Sequence, residues 1–266
     1  SAPRRIMIIS IVNTKGGVGK TVTAVNLGAA LAAQGKRVLL LDVDLQGGLS
    51  QYLGADVSGA TTADVLSGGA GIEEATQQVR PNLFLIPATA SMEGAEVELS
   101  GASGGEVRLR RAFKRWAQFR RGAELPDYDF VFIDCPSGWG AVTRNALLAS
   151  NAIIVPVNSE PAAVFNAVST VASARELGEY HDHEILLLGV LLTRFRSTNA
   201  AKFIEEQAHE TWGDLVFGSK IRQAERINEL AMSQETLSDV GAKASGPVGA
   251  DYAALAREVC ERSSHQ

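Results

Sequence analysis

Short, nearly unbroken apolar runs alternate along the chain with longer segments in which apolar positions recur every three or four residues. The first pattern suits strands buried on both faces, and the second suits helices laid over them. Strands are expected at 6–13, 37–42, 83–87, 128–134, 152–157, 185–193 and, more briefly, 216–221. Helices are expected at 20–34, 92–99, 107–119, 142–150, 164–179, 200–212 and 252–262, the first of them stopped by Gly35. Alternation of this kind from end to end predicts an α/β fold, a mostly parallel twisted sheet with helices on both faces. The Gly/Ser-rich stretches 54–71 and 242–249 are expected to be surface loops. With no internal repeat and no long linker, residues 1–266 are expected to form one domain.

Composition narrows the class. Hydrophobic residues make up 45% of the chain and charged residues 21%, a balance that excludes wholesale disorder. A net charge of −5 excludes a uniformly basic nucleic-acid binder but leaves room for a local basic patch. Two cysteines, Cys135 and Cys260, are too few for a disulfide scaffold and suit a reducing compartment. No apolar run reaches membrane-spanning length, and Ser1-Ala2-Pro3-Arg4-Arg5-Ile6 leads straight into a strand with no room for a leader. A cytoplasmic protein without a membrane partner is the expectation.

The sharpest chemical signal is Lys15-Gly16-Gly17-Val18-Gly19-Lys20-Thr21, which follows the first strand and opens the first helix. Glycines there let successive backbone N–H groups turn inward and cradle a polyphosphate at the positive helix end. In such a loop Gly16, Gly17, Val18, Gly19 and Val22 offer backbone, Lys20 reaches the β- and γ-phosphates, and the Thr21 hydroxyl ligates Mg2+. The order strand, loop, helix separates this motif from a glycine-rich turn. Asp134 ends an apolar strand and would emerge at its C-terminal edge, where α/β sheets bind ligands. Asp42 and Asp44 end the second strand, and their i, i+2 spacing puts both on one side of an extended segment. Such acids either serve metal and water or cap a solvated turn.

Lysine at position 15 instead of the ordinary leading glycine resembles the deviant Walker A motif of the ParA/MinD group of P-loop ATPases, ParA (Soj-like) most closely. The likeness extends to Thr23–Ala32, to Gly35–Asp42, to Asp42-Val43-Asp44-Leu45-Gln46-Gly47, to the strand ending in Asp134, and to 185–193, almost the whole chain. The resemblance implies a Mg2+-dependent ATPase acting as a homodimer that sandwiches two ATP molecules. It implies that Lys15 reaches the partner's phosphates, that Asp44 positions or deprotonates the attacking water, and that Asp42 supports the metal region beside Thr21 and Asp134. It further implies non-specific binding of double-stranded DNA, a stimulating ParB-like centromere-binding partner, association with the nucleoid, and a part in chromosome or plasmid segregation.

Several positions depart from that family's pattern. Val22 stands for a second Thr, Leu45 for a Pro, and Ser137-Gly138-Trp139-Gly140 for Pro-Ser-Leu-Gly, so slow hydrolysis is expected. The adenine-contacting segment survives only as Ile221-Arg222-Gln223-Ala224, and no adenine residue carries over. Cys135 is expected to pack, since Cys260 is a poor second ligand for an iron–sulfur role.

One segment stands apart in charge. Arg108, Arg110, Arg111, Lys114, Arg115, Arg120 and Arg121 fall between 108 and 121 without an acid. Leu109, Ala112, Phe113 and Trp116 at helical spacing would face the sheet and leave most of the charge outward. Such a face is either a solvated helix or a surface that neutralises DNA phosphates, with Arg108, Arg111 and Arg115 its best placed members. Arg194, Arg196, Arg222 and Arg226 form a second candidate set, where the family's DNA-contacting arginines lie. His181 and His183 alternate as metal ligands do, but a connecting loop without further ligands is the better reading. Two rivals stay open: a MinD-like membrane-associated positioning ATPase, and a weakly catalytic ATP-gated scaffold.

Overall fold

The computed structural model describes residues 6–264; the leader-free start read at 1–5 lies outside them. The elements run β1 (Met7–Ile11), α1 (Lys20–Ala33), β2 (Val38–Asp42), α2 (Gly48–Leu53), α3 (Thr62–Ser67), α4 (Ile72–Ala75), β3 (Gln77–Arg80), β4 (Leu83–Ile86), α5 (Met92–Gly101) and α6 (Arg108–Gly122). They continue with β5 (Phe130–Asp134), α7 (Ala141–Ala149), β6 (Ala152–Val157), α8 (Ala163–Tyr180), β7 (Leu186–Leu192), α9 (Asn199–Trp212), α10 (Glu225–Met232) and α11 (Gly241–Ser264). Among the described residues these strands form a seven-stranded sheet in the order β3-β4-β2-β5-β1-β6-β7. Every pairing is parallel except that of β3 with β4. The expected α/β architecture is therefore present, with an antiparallel edge.

The central strands are apolar throughout because both of their faces are covered. All five residues of β2 and of β5 are buried. On one face pack Met92 and Leu99 of α5, Leu109, Phe113 and Trp116 of α6, Leu147 of α7 and Ala167 of α8. On the other pack Leu27 and Leu31 of α1, Leu49 of α2, Leu230 of α10, and Leu255 and Val259 of α11. At roughly 1.5–3 kcal/mol for each fully buried large side chain, these two layers hold the sheet rigid beneath its strand ends.

Three expectations change. The 216–221 strand does not form; Val216 and Arg222 make only isolated bridges to Val190 and Phe195. Between them the Glu258 carboxylate accepts the N–H groups of Gly218 and Ser219, at 2.9 and 3.0 Å, which takes those donors out of any ladder. The 54–71 stretch is not all loop, since the Asp64 carboxylate accepts both the N–H and the hydroxyl of Thr61 at 2.8 Å and starts α3. Residues 242–249 are helical, broken at Gly246 (φ 64°, ψ −163°), with Pro247 placed where a helix can restart. Strand β3 escapes the apolar pattern because Gln77-Gln78-Val79-Arg80 lies at a half-solvated edge.

Register brings the chemistry to one edge. Asp134 lies opposite Ile11 of β1 and opposite Asp42 of β2, so the chain leaves all three strands at the same level.

Candidate active site

Beyond Ile11 the chain turns through residues 12–19 before α1 begins, with Gly17 and Gly19 at φ 73° and 88°. A side chain is strained in that left-handed region, so the two glycines let the backbone curl. The loop is held from outside. The Asn13 carboxamide donates to the Pro156 carbonyl at 2.8 Å and accepts the Lys15 N–H at 2.9 Å. The Thr193 hydroxyl donates to the Val18 carbonyl at 2.7 Å, and Arg194 donates to the Gly17 carbonyl at 3.1 Å. No side chain caps the N-terminus of α1. Its orphan N–H groups and the positive end of its dipole therefore face the curled loop, a ready anion site.

Lys20 lies back over this loop. Its ammonium donates to the carbonyls of Asn13 and Lys15, both at 3.1 Å, and to the Ser137 hydroxyl at 2.9 Å. Burial lowers its pKa, an effect that the nearby Asp134 partly offsets. Asp134 is fully buried, and neither carboxylate oxygen has a well-formed hydrogen bond. Desolvation, followed by the neighbouring Asp42 carboxylate, holds its pKa well above the usual range, although Thr21 and Lys20 pull the other way. A buried, unpartnered carboxylate beside a hydroxyl at the mouth of an anion site fits a hydrated divalent cation.

Asp42 differs. One of its oxygens accepts the Ser50 N–H and hydroxyl at 2.9 and 2.7 Å, and the other accepts the Asp44 N–H at 3.1 Å. Burial raises its pKa to about 6. Its expected place in the metal region is thus indirect, because its lone pairs shape the Asp44 turn. Asp44 accepts the Gln46 N–H at 3.0 Å and lines the cleft with Gly17, Gly19, Lys20 and Thr21.

Lys15 pairs with Glu160 on the loop between β6 and α8, and this contact lowers the Glu160 pKa. The cleft itself measures about 410 Å³ and runs from the loop past Thr193 to Ile221, Gln223, Asn228 and Tyr252, which suits a nucleotide-sized ligand. Asn13, Ser137 and Thr193 were not singled out in the sequence as site residues. Thr193 had a signal, since it follows β7 at the ligand-binding edge. Burial raises the Cys135 thiol to about 12, consistent with packing. Among the described residues no group of three or more His, Cys, Asp or Glu could hold a metal by itself. His181 instead contacts Glu106, and His183 the Ser150 carbonyl.

The later arginines surround this cleft. Arg194 and Arg222 line it, and Arg222 forks onto Asp251 at 2.7 and 2.8 Å. Arg196 donates to Gln223 at 2.6 Å, and Arg226 to the Ala244 carbonyl at 3.0 Å. On α6 the apolar stripe points inward as expected, but Arg120 points inward with it, at 1% exposure. It pairs with Glu73 at 2.5 Å and lies 5.3 and 4.8 Å from the ring centroids of Trp116 and Tyr128. Arg108 is engaged by Glu98 and the Leu66 carbonyl. Arg111, Lys114, Arg115 and Arg121 are exposed.

Comparison with known proteins agrees with this geometry. Residues 6–184 match the family model described as AAA domain. The chain is 38% identical over 227 residues to the sporulation initiation inhibitor protein Soj of Bacillus subtilis, covering 84% of this chain and 86% of that one. It is 34% identical to the chromosome partitioning protein ParA of Caulobacter vibrioides, over 97% of this chain and 95% of the relative. Among solved structures, cobyrinic acid a,c-diamide synthase from Mycobacterium smegmatis with bound ADP and magnesium is similar at TM-score 0.74 and 30% identity, covering 88% of this chain and 93% of the other.

Proposed function

The chain belongs to the ParA family of partitioning ATPases, and from that premise we propose that it closes as a homodimer over two ATP molecules and holds double-stranded DNA until hydrolysis releases it. The observation that carries the nucleotide half of this reading is the uncapped start of α1, with Lys20 and an unpartnered Asp134 beside it. ATP phosphates replace the carbonyls of Asn13 and Lys15 as acceptors for the Lys20 ammonium. Thr21 and Asp134 are the residues to hold Mg2+, which when bound neutralises charge on the β- and γ-phosphate oxygens. Asp44, steadied through Asp42, orients the attacking water and accepts its proton. Lys15 leaves Glu160 and reaches the partner's phosphates, where it offsets charge that develops during transfer. The purine end of ATP occupies the Ile221, Gln223, Asn228 and Tyr252 end of the cleft.

Turnover is slow in this reading, because Leu45 in place of a proline and Gly138 in place of a serine leave the loops after β2 and β5 less constrained. The DNA surface is the exposed face of α6, with Arg111 and Arg115 at its centre and Arg108 at its edge. Arg194, Arg196, Arg222 and Arg226 are the secondary set, weaker candidates because each already has hydrogen-bond partners within the chain. A ParB-like partner stimulates hydrolysis, and the cycle places the protein on the nucleoid, moving chromosome or plasmid cargo. A membrane-associated role has less support, because α11 mixes charges along its length rather than presenting a basic amphipathic face.

The test is binding to non-specific double-stranded DNA with ATP, ADP or no nucleotide, across a salt series. Tight binding with ATP alone, falling steeply with salt, is the expected result. Equal weak binding in every nucleotide state would overturn the DNA reading.

A further inference from the structure

Two loops border the cleft: residues 43–47 after β2, which carry Asp44, and residues 135–140, which follow Asp134 at the end of β5 and carry Ser137. The first is fastened to the segment that enters α5, and the second, at its far end, to α5 itself. The loop entering α5 packs on the first, where the Ala88 N–H donates to the Ser50 hydroxyl at 2.9 Å and a Cβ on Gly47 would stand 3.0 Å from the Ala88 carbonyl oxygen. Ser50 is the residue that binds Asp42. From the middle of α5, Glu96 reaches the end of the second loop. Its two oxygens accept the N–H groups of Ala141 and Val142, at 2.5 and 2.8 Å, in the first turn of α7. The approach depends on Gly140, since a Cβ there would come within 2.5 Å of the Glu96 Oε1.

A helix start is ordinarily satisfied by its own Ser, Thr, Asp or Asn. Here the N-cap position is a glycine with no side chain, and the acceptor comes from 45 residues away in the chain. A local cap would stabilise α7 equally well, but it would not tie α7 to the strut that also holds the Asp44 turn. The other fastenings of the second loop differ in kind. Ser137 is held by Lys20, whose bond a nucleotide would take over, while Arg144 donates to the Trp139 carbonyl at 3.0 Å from within α7 itself. Backbone bonds from Cys135 to the Ile11 carbonyl and from Val43 to the Asp134 carbonyl, both 3.3 Å, fix the near end of the second loop on the sheet; Glu96 ties its far end to α5 when Lys20 lets go.

We propose that Glu96 is a positioning residue for ATP hydrolysis: the sheet register fixes Asp134, and through α5 Glu96 holds the rest of the 135–140 loop, with Ser137, in register with the Asp44 turn on one γ-phosphate. This rests on the ATPase reading above. Misplacement of reacting groups by about 1 Å can cost about 100-fold in rate, so a lost fastening registers in kcat before it registers in affinity.

The test is steady-state phosphate release, with thermal midpoints, for the wild type, Glu96→Ala, Glu96→Gln, and Glu96→Ala combined with Gly140→Ser. Glu96→Ala is expected to lower kcat roughly 10-fold or more while KM for ATP stays within about 2-fold. Glu96→Gln, which keeps one acceptor, recovers part of the rate. The double variant restores a local cap without the strut, so its thermal midpoint returns while kcat stays low. Recovery of kcat in the double variant, or Glu96→Ala turning over like the wild type, would overturn the proposal. Gly140→Ala alone, which crowds the same carboxylate, is expected to reproduce the kcat loss, and a wild-type rate there would equally count against it. A wild-type chain that releases no phosphate at all would overturn the ATPase reading itself, an outcome distinct from every other.

Discussion

The phosphate loop and the basic helix α6 are both rich in cations, yet they hold them in opposite ways. Lys20 is buried against neutral oxygens, two backbone carbonyls and a hydroxyl, while the nearby Asp134 carboxylate stays unpartnered. Arg120 is buried against a carboxylate, a carbonyl and two aromatic faces. Neutral acceptors leave the Lys20 charge only partly compensated, by the nearby Asp134, so incoming phosphate gains by replacing them. The Arg120 charge is already compensated, and its removal would strand Glu73. Burial of a cation therefore marks readiness in the first region and permanence in the second; the difference lies in what the cation touches.

The largest effects should separate the two regions cleanly. Lys20→Ala removes the principal cation of the loop and is expected to cost about 100-fold to 1000-fold in turnover, with ATP affinity falling as well by calorimetric titration. Lys15→Ala should cost about 1000-fold in turnover with ATP affinity held within a few-fold, because Lys15 is parked on Glu160 outside its own loop. Similar loss of affinity in both variants would erase the distinction between a lysine acting within its own loop and one acting across an interface. Next in size, Arg120→Ala should lower stability by about 3 kcal/mol in urea unfolding and leave ATP affinity unchanged. A loss below about 1 kcal/mol would mean that the α6 charges are solvated after all.

The same contrast explains what could be read in advance. The loop was legible because its chemistry is local: strand, glycines, lysine, threonine and helix follow one another, and the Asp42 and Asp134 strands were plain apolar runs. The role of Asp42 was not legible, because it depends on Ser50, which sits eight residues on in α2, a helix that the pattern did not predict. Arg120 was not distinguishable from Arg121 either. One faces Glu73 and Trp116, the other faces water, and only the packing of α4 and α6 decides which. Glu96 was an acid on a short helix, and nothing near it in sequence identifies the α7 backbone as its partner. Tertiary partners, rather than residue type, sorted the charges.

The smallest effect bears on the outward face of α6. Arg111→Glu with Arg115→Glu alters two exposed side chains, so unfolding should shift by no more than about 0.5 kcal/mol. If this face binds DNA, loss of two phosphate contacts should lower the slope of log affinity against log salt by about 2 in the ATP state. Nucleotide affinity should not move, since neither residue lines the cleft. The matching experiment on the second candidate set is less clean. Arg194 bonds the Gly17 carbonyl, so Arg194→Glu would disturb the phosphate loop and DNA binding together. A changed salt slope with intact ATP binding in the double variant would therefore place DNA contacts on α6. An unchanged slope in the double variant would move the DNA surface to the cleft-side arginines and make α6 a solvated helix pinned by Arg108 and Arg120.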